Sequence, residues 1–415
     1  MRFAIIGSGI SGLAAGWYLS RKHEVSLFEK DPRLGGHTNT VNVENGGDPI
    51  PVDTGFIVHN DRTYPNLVRL LSELGVETQP SDMSFSVSNR QTGFEYSSRG
   101  VNGFFAQRSN LLRREHYLLV AEILRFNHTA PKLLERPGVE AATIGDIIDE
   151  GRYHPVFAER YLLPMASAVW SMSFDAIRFF PALTLLRFFH NHGMLGINTH
   201  PKWKVIRGGS HKYIPLLTAP FKDRIFLDAR IAAVSRQESG VTLQFEDRPA
   251  MAFDQVVFAC HGDQVLPLLE EPTGAERDVL GNFKTSRNVA TLHTDSSLLP
   301  RRLAAQASWN YNLGMGGKSG VALTYYMNRL QSLKTAENFC VTLNGEDVID
   351  PAKVLRKIVY DHPLYTNQAI RAQDRWSEIS GGNRTHYCGA YWFYGFHEDG
   401  LNSALRVARA LSVEC

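Results

Sequence analysis

The sequence predicts an α/β protein: a parallel-sheet domain that begins at the first residue, interleaved along the chain with a second, α+β domain. Three observations lead there. A short apolar run, Arg2–Ile6, passes straight into the turn Gly7-Ser8-Gly9-Ile10-Ser11-Gly12. A helix-patterned stretch, Leu13–Arg21, and a second apolar run, Glu24–Phe28, come next, which is how a βαβ unit starts. At 415 residues the chain is also long enough for two or three folding units, each with a full core.

The glycines of the turn have separate tasks. Gly7 permits the tight bend, Gly9 lets the backbone approach a pyrophosphate, and Gly12 allows the helix to pack closely on the strand. The helix N-terminus, with Ser11 in its first turn, offers free N–H groups and a partial positive charge. Glu29 stands at the end of the second strand, with Lys30 beside it, where a carboxylate can accept hydrogen bonds from both ribose hydroxyls. Strand, turn, helix, strand and acid together form a Rossmann-type dinucleotide fingerprint. A glycine-rich turn with no ligand is the competing reading.

Two further patches favour FAD over NAD. Arg33-Leu34-Gly35-Gly36-His37-Thr38 holds a second tight turn that can bring backbone amides onto the same pyrophosphate. Val52-Asp53-Thr54-Gly55-Phe56 is an apolar turn suited to lining the flavin end of a cavity. Here the chain resembles the flavin-containing amine oxidase superfamily, which also includes polyamine oxidases and carotenoid desaturases. Members carry an acid-x-x-x-Arg-x-Gly-Gly-Arg segment at this point. Glu29, Arg33, Gly35 and Gly36 match it, His37 replaces the last arginine, and Asp31 stands where many relatives have a basic residue.

The resemblance runs on through the chain. Lys204–Ser210 precedes a helix start, Arg230–Val234 resembles the strand whose backbone contacts adenine, and Phe253–Ala259 reads as a strand entering Cys260-His261-Gly262. Near the end, Tyr387–Ala390 and Gly395-Phe396-His397-Glu398-Asp399-Gly400-Leu401 precede a final helix. The resemblance implies a ribityl or pyrophosphate contact for Glu398 and a helix N-terminus, near Leu401, aimed at the flavin C2 carbonyl. Such a dipole stabilises reduced, anionic flavin. Val52–Asn60, Met327–Gln331 and Gly395–Gly400 also resemble a narrower bacterial group of predicted NAD/FAD-binding proteins. These are often encoded beside cyclopropane-fatty-acid-synthase-like methyltransferases, and some relatives are linked to modifying methylated acyl chains. FAD is expected to be held without a covalent bond, because Cys388 lacks the surrounding pattern of a linked cysteine.

The expected FAD domain is discontinuous: residues 1–75, 202–265 and 376–415. Residues 76–201 and 266–375 form the substrate domain. The first of these two blocks reads mostly helical, with strong helical spacing over Leu111–Phe126 and many aromatics over Ala176–His192. The second contains strand patterns at Val289–His293, Ala307–Tyr311 and Val321–Met327. A helix is expected at Asp350–Tyr360, with Pro351 in its first turn. Between Arg99 and Arg136 lie seven basic residues against three acids, with Phe104, Phe105, Leu111, Leu112 and Leu118 interleaved. This is either a surface that meets anionic lipid or an ordinary solvated helix face. The run Phe179–Phe189 either lines a long apolar tunnel or packs a core.

Flavin enzymes of this architecture move a hydride equivalent from substrate to flavin N5, and the protein orients the C–H bond. The superfamily's amine oxidases place a lysine on a substrate-domain strand beside N5. The matching stretch here, Asn288–His293, contains none, and Phe396 takes the place of a hydroxyl-bearing cage aromatic. His293 and His397 are the candidate catalytic or flavin-contacting residues, although His293 and Asp295 could equally be a surface pair on one strand face. Trp309, Asn310, Tyr311, Tyr325 and Tyr326 either line the cavity or pack a core.

Composition narrows the classes further. An apolar fraction of 43% and a charged fraction of 21% exclude disordered and fibrous proteins. A net charge of +2 gives no reason to expect nucleic acid. Four dispersed cysteines suggest a reducing compartment. His190, His192 and His200 cluster without a carboxylate or cysteine to complete a ligand set, so no metal is expected. The first strand leaves no room for a signal peptide, and no stretch reaches the roughly 18 apolar residues of a membrane span. A cytoplasmic protein is expected, with peripheral contact at the inner membrane face as an option. The expected function is an FAD-dependent dehydrogenase or desaturase acting on an apolar substrate such as a methylated fatty acyl chain. The alternatives are an amine oxidase with an atypical site and a non-catalytic flavoprotein or partner subunit.

Overall fold

A computed structural model describes all residues except 45, 197, 198, 200 and 316–320. Its first layer is a five-stranded parallel sheet in the order Ile225–Phe226, Glu24–Phe28, Arg2–Ile6, Gln255–Phe258, Thr385–Tyr387. Arg2 to Ile6 pair in register with Glu24 to Phe28 on one side, and Phe3 to Ile6 with Gln255 to Phe258 on the other. These central strands are apolar almost throughout because both faces are covered. The helices Ile10–Leu19 and His397–Ala410 pack against each other beside the sheet. Gly12 makes the helix-on-strand approach possible, since a Cβ there would lie 1.9 Å from the Gly7 carbonyl oxygen.

The second layer is a seven-stranded sheet in the order Val354–Leu364, Lys284–His293, Cys340–Leu343, Val321–Tyr326, Trp309–Leu313, Phe85–Asn89, Phe94–Ser97. All its pairings are antiparallel except that of Trp309–Leu313 with Phe85–Asn89. The helices Arg114–Leu133, Leu163–Trp170 and Ala182–Asn191 form a separate apolar cluster around Phe126, Phe157, Phe180 and Phe189, each wholly buried. Each such side chain contributes on the order of 2–3 kcal/mol by leaving water.

Several elements differ from expectation. Pro351 opens only a single 3-10 turn, Pro351–Lys353, and the chain then extends as the strand Val354–Leu364 in place of a helix. That strand pairs with Lys284–His293 along the latter's whole length, so tertiary pairing overrides the local pattern. Residues 78–97 supply three strands before the helical block begins. The strand expected over Phe253–Ala259 is broken at Asp254 into Met251–Phe253 and Gln255–Phe258, which belong to different sheets.

Among the described residues, no helix is long and apolar enough to cross a membrane, and no group of three or more His, Cys, Asp or Glu could hold a metal ion. His200, part of the histidine cluster noted in the sequence, lies outside the described residues.

Candidate active site

A cavity of about 2250 Å³ starts at the C-terminal edge of the parallel sheet, at Gly7, Gly9, Ala259 and Cys260, and runs between the two layers. It ends among Phe104, Val120, Leu124 and Met165 of the helical block. A drug-sized ligand fills roughly 300–1,000 Å³, so the space accommodates a large cofactor and a substrate end to end.

The first part is a backbone cradle. Gly7, Ser8, Gly9, Ile10 and Ser11 line it. No side chain caps the helix Ile10–Leu19 and no acid stands in its first turn, so its leading N–H groups face the cavity unopposed. A Cβ on Gly9 would meet nothing within 4 Å, whereas one on Gly36 would lie 3.2 Å from the Gly9 Cα, so the two glycine turns abut. Gly35 and Gly36 both have positive φ (107° and 55°), and Arg33 clips the turn by donating from Nη2 to the Gly36 carbonyl at 2.8 Å. Glu29 is buried. Its Oε2 accepts from Ser8 N at 2.8 Å and Ser8 Oγ at 2.5 Å, and its Oε1 accepts from Asp31 N at 3.0 Å. Ser11 Oγ donates to the Gly400 carbonyl at 2.9 Å, tying the first helix to the last. Lys30, Arg33, Gly55 and Cys260 also line the wall, and burial pushes the Cys260 thiol up to about 12.

Beside the cradle sit three histidines. The His37 ring stacks on Tyr360 with centroids 4.8 Å apart, and His362 and His261 lie 5.2 and 5.8 Å away. Burial and mutual repulsion hold His37 well below the usual imidazole value and His362 at about 4; burial also lowers His261. His37 Nε2 and His362 Nδ1 have no hydrogen-bond partner among the described residues. A neutral imidazole, His37, therefore stands at the position where the resembling sequences carry an arginine.

His397 is the first residue of the last helix, and its ring stacks on Phe56 in the cavity wall. Its Nε2 lies 2.9 Å from both Thr38 Oγ1 and Tyr213 Oη, which also bond each other. Burial lowers His397 to about 3, so the ring is neutral. Glu398 turns away from the cavity: its carboxylate accepts from Asn66 N, Asn66 Nδ2 and Leu67 N at 2.9–3.0 Å, capping the helix Pro65–Glu73. Asp399, missed by the sequence reading, accepts from Phe396 N at 2.9 Å, and burial raises it to about 7. Leu401 packs into the core.

Other expected residues also lie off the cavity. His293 is wholly buried inside the seven-stranded sheet, its Nε2 on Thr342 Oγ1 at 2.7 Å and its Nδ1 accepting from Asp295 N at 3.1 Å. It lines no part of the cavity. A bulge at Leu292/His293 ends the regular pairing, and Asp295 turns inward to serve as a cap; neither is a surface residue. The carbonyl of Val234 accepts from Glu270 N at 3.2 Å, and Ala229, Arg230 and Ile231 line the wall instead. Cys388 is fully buried away from the cavity. Lys284 belongs to the strand that carries Asn288, but it sits exposed at the strand's outer end. Asn288 is held by Asn344 at 2.8 Å.

The far part of the cavity is largely apolar, with Asp82, Ser84, Ser97, Arg99 and Asn127 among its polar lining. Phe85, Phe104, Ile123, Met165, Val169 and Trp170 contribute to it, with Trp309 edge-on to Tyr325 at 4.8 Å. Phe188 and Phe396, 5.0 Å apart and near parallel, stand between this space and the cradle. Of the aromatic run Phe179–Phe189, Phe188 faces the cavity, Phe180 and Phe189 are core, and Phe179 is exposed.

The sequence profile of the family described as flavin containing amine oxidoreductase matches residues 10–319, well over half of the chain. Solved structures of similar fold include a cyclohexylamine oxidase from Brevibacterium oxydans (14% identical, 99% of each chain, TM-score 0.68). A putrescine oxidase variant (14%, 99% of each, 0.72) and a fatty acid isomerase from P. acnes (14%, 99% of each, 0.70) are comparable. An uncharacterised protein of Methanocaldococcus jannaschii is 50% identical over 44 residues, which is 11% of each chain. The chain belongs to the flavin-containing amine oxidoreductase family.

Proposed function

We propose that the protein binds FAD non-covalently and dehydrogenates an apolar substrate, a fatty acyl chain. In this reading residues 1–75, 202–265 and 376–415 hold the cofactor, while 76–201 and 266–375 hold the substrate. The observation that carries it is the continuity of a nucleotide cradle with a long apolar space in one cavity.

The fit of FAD rests on the uncapped helix N-terminus at Gly9, the carboxylate of Glu29 and the unpartnered nitrogens of His37 and His362. Gly9, Ser11 and Gly36 would receive the phosphates through backbone N–H groups, with Lys30 and Arg33 supplying positive charge, while Gly7 shapes the turn and donates its own N–H to the Phe28 carbonyl at 2.8 Å. When bound, FAD supplies an acceptor for a hydride equivalent. The chain's own residues do the rest: Phe188, Phe396 and Trp170 exclude water, and the apolar walls align an extended chain. The lysine exposed on the strand Lys284–His293 lies outside the cavity, which distances the site from ordinary amine oxidation. The fatty acid isomerase of similar fold supports the acyl-chain reading.

The test is the visible absorbance of FAD-loaded protein without oxygen. Detergent-solubilised bacterial phospholipid, including methylated acyl species, is expected to bleach the flavin. A panel of primary amines and polyamines is expected to leave it oxidised. Bleaching by amines alone would replace this reading with amine oxidation, which the family and the putrescine oxidase fold favour; no bleaching by any reductant would indicate a non-catalytic flavoprotein.

A further inference from the structure

We propose that residues 99–124 form a docking surface for an anionic phospholipid membrane, placed so that an acyl chain passes from the bilayer straight into the cavity. The inference rests on the acyl-chain reading above. Large apolar side chains stand in solvent here: Leu112 is 92% exposed and Val101 77%, with Leu111, Tyr117 and Leu124 also exposed. Scattered single exposures are ordinary, but a group of them within one short segment marks an interaction surface.

The charge of the segment that is left without an ion-pair partner has one sign. Its acids are already engaged, Glu115 with Arg160 at 3.1 Å and Glu122 with Arg125 at 2.7 Å. Arg99, Arg108, Arg113 and Arg114 make no ion pair with any described residue. Guanidinium groups without an acid partner, set among exposed leucines, match the interface of an anionic bilayer, where the apolar side chains enter the acyl boundary and the cations stay at the phosphates. An acidic protein would satisfy the arginines as well, but it would not account for what lies beneath them.

The surface is continuous with the cavity. Arg108 donates to the Phe105 carbonyl at 3.0 Å, Tyr117 Oη donates to the Leu111 carbonyl at 2.9 Å, and the Tyr117 ring lies 6.0 Å from that of Phe105. Arg99, Val101, Phe105 and Leu124 form part of the cavity wall, and Arg99, Val101 and Leu124 are also exposed, so the cavity reaches solvent within the patch. A substrate confined to a bilayer therefore meets the apolar walls without crossing water.

The experiment is co-sedimentation of the FAD-loaded protein with vesicles of phosphatidylglycerol and phosphatidylcholine, against phosphatidylcholine alone. The variants are Leu112→Glu/Arg113→Glu/Arg114→Glu and, as a milder change, Arg113→Glu. Wild type is expected to sediment with the anionic vesicles only, and less as salt rises. Each arginine lost lowers affinity about fivefold, so the triple variant is expected to fall by about 100-fold or more. Its flavin spectrum and its bleaching by detergent-solubilised lipid stay at wild-type levels, while bleaching by vesicle-embedded lipid slows. Failure of wild type to bind anionic vesicles at low salt, or binding by the triple variant equal to wild type, overturns the docking surface. If solubilised lipid bleaches neither protein, it is the acyl-chain reading that fails, and sedimentation still decides whether the surface binds membrane.

Discussion

The imidazole of His397 lies flat on the ring of Phe56, centroids 3.6 Å apart and planes 8° from parallel. The last helix is thereby clamped to the turn that follows Thr54-Gly55, and Nε2 of the same ring closes a network with Thr38 and Tyr213. A ring held neutral by burial cannot act as the titrating base near pH 7. His397→Ala is expected to cost about 2–4 kcal/mol of stability and to weaken FAD retention. The wild-type rate should show no inflection between pH 6 and 8 from this group. A step in kcat/KM near pH 6.5 that His397→Asn removes would show that His397 does titrate in the reaction.

Gly9 and Gly12 separate cofactor binding from folding. A Cβ at Gly12 meets the Gly7 carbonyl oxygen and carbon at 1.9 and 3.0 Å, both backbone atoms that cannot yield without moving a strand. Gly12→Ala should therefore lower stability by about 3 kcal/mol and shift the denaturant midpoint in the absence of flavin. At Gly9 the backbone is φ −63° and the space beyond is open, so Gly9→Ala should fold normally. Its methyl group projects into the cradle, and FAD retention on gel filtration should fall. Equal stability losses in the two variants would contradict this division.

Acid should destabilise the fold well above the ordinary carboxylate range. Buried His59, His192, His293, His362 and His386 are held at about 4 and His397 at about 3, largely by burial. Each is neutral when folded yet takes a proton once unfolded below about pH 6.5, so the unfolded chain binds more protons and stability falls as pH falls. At pH 5.5 this costs about 1.4 kcal/mol per histidine. Asp53 and Asp399, raised to about 6 and 7, work in the opposite sense and return about 3 kcal/mol between them. A net loss of about 5 kcal/mol between pH 7.5 and 5.5 should appear as a lower urea midpoint; an unchanged midpoint would show that these rings are protonated in the native state.

Local sequence made the nucleotide cradle legible because its requirements are local. Gly7, Gly9, Gly12 and Glu29 act through backbone geometry within one βαβ unit, and both strands fall on their expected residues. The cavity wall opposite was hidden. Tyr360 closes the stretch Asp350–Tyr360, which Pro351 in its first turn suggests is a helix, and His362 lies just beyond it; only pairing with Lys284–His293 makes both part of a strand. Glu398 and His293 failed as site residues for a related reason. Each satisfies a buried demand set by distant chain: the helix start at Asn66 and Leu67 for one, Thr342 for the other. His293→Gln should accordingly lower stability while leaving the flavin spectrum and the turnover per bound flavin unchanged; a lowered turnover per flavin would return it to the site.

The apolar walls beyond Phe188 and Phe396 set how much chain the cavity can take. Ile123 lies on the helix Arg114–Leu133, partly buried, and lines that far section with Val169 and Met165. Ile123→Trp adds bulk to the tunnel without approaching Gly9, Glu29 or His37. FAD content and its absorbance should therefore match wild type. Reduction by solubilised long-chain lipid should slow by tenfold or more, since a chain that cannot seat fully loses both apolar contact and alignment of its C–H bond. Short-chain analogues should react at wild-type rates, because they need only the section next to the cradle. Equal slowing for short and long chains would mean that the wall acts on the cofactor and not on the substrate, and the apolar section would then have no part in choosing the substrate.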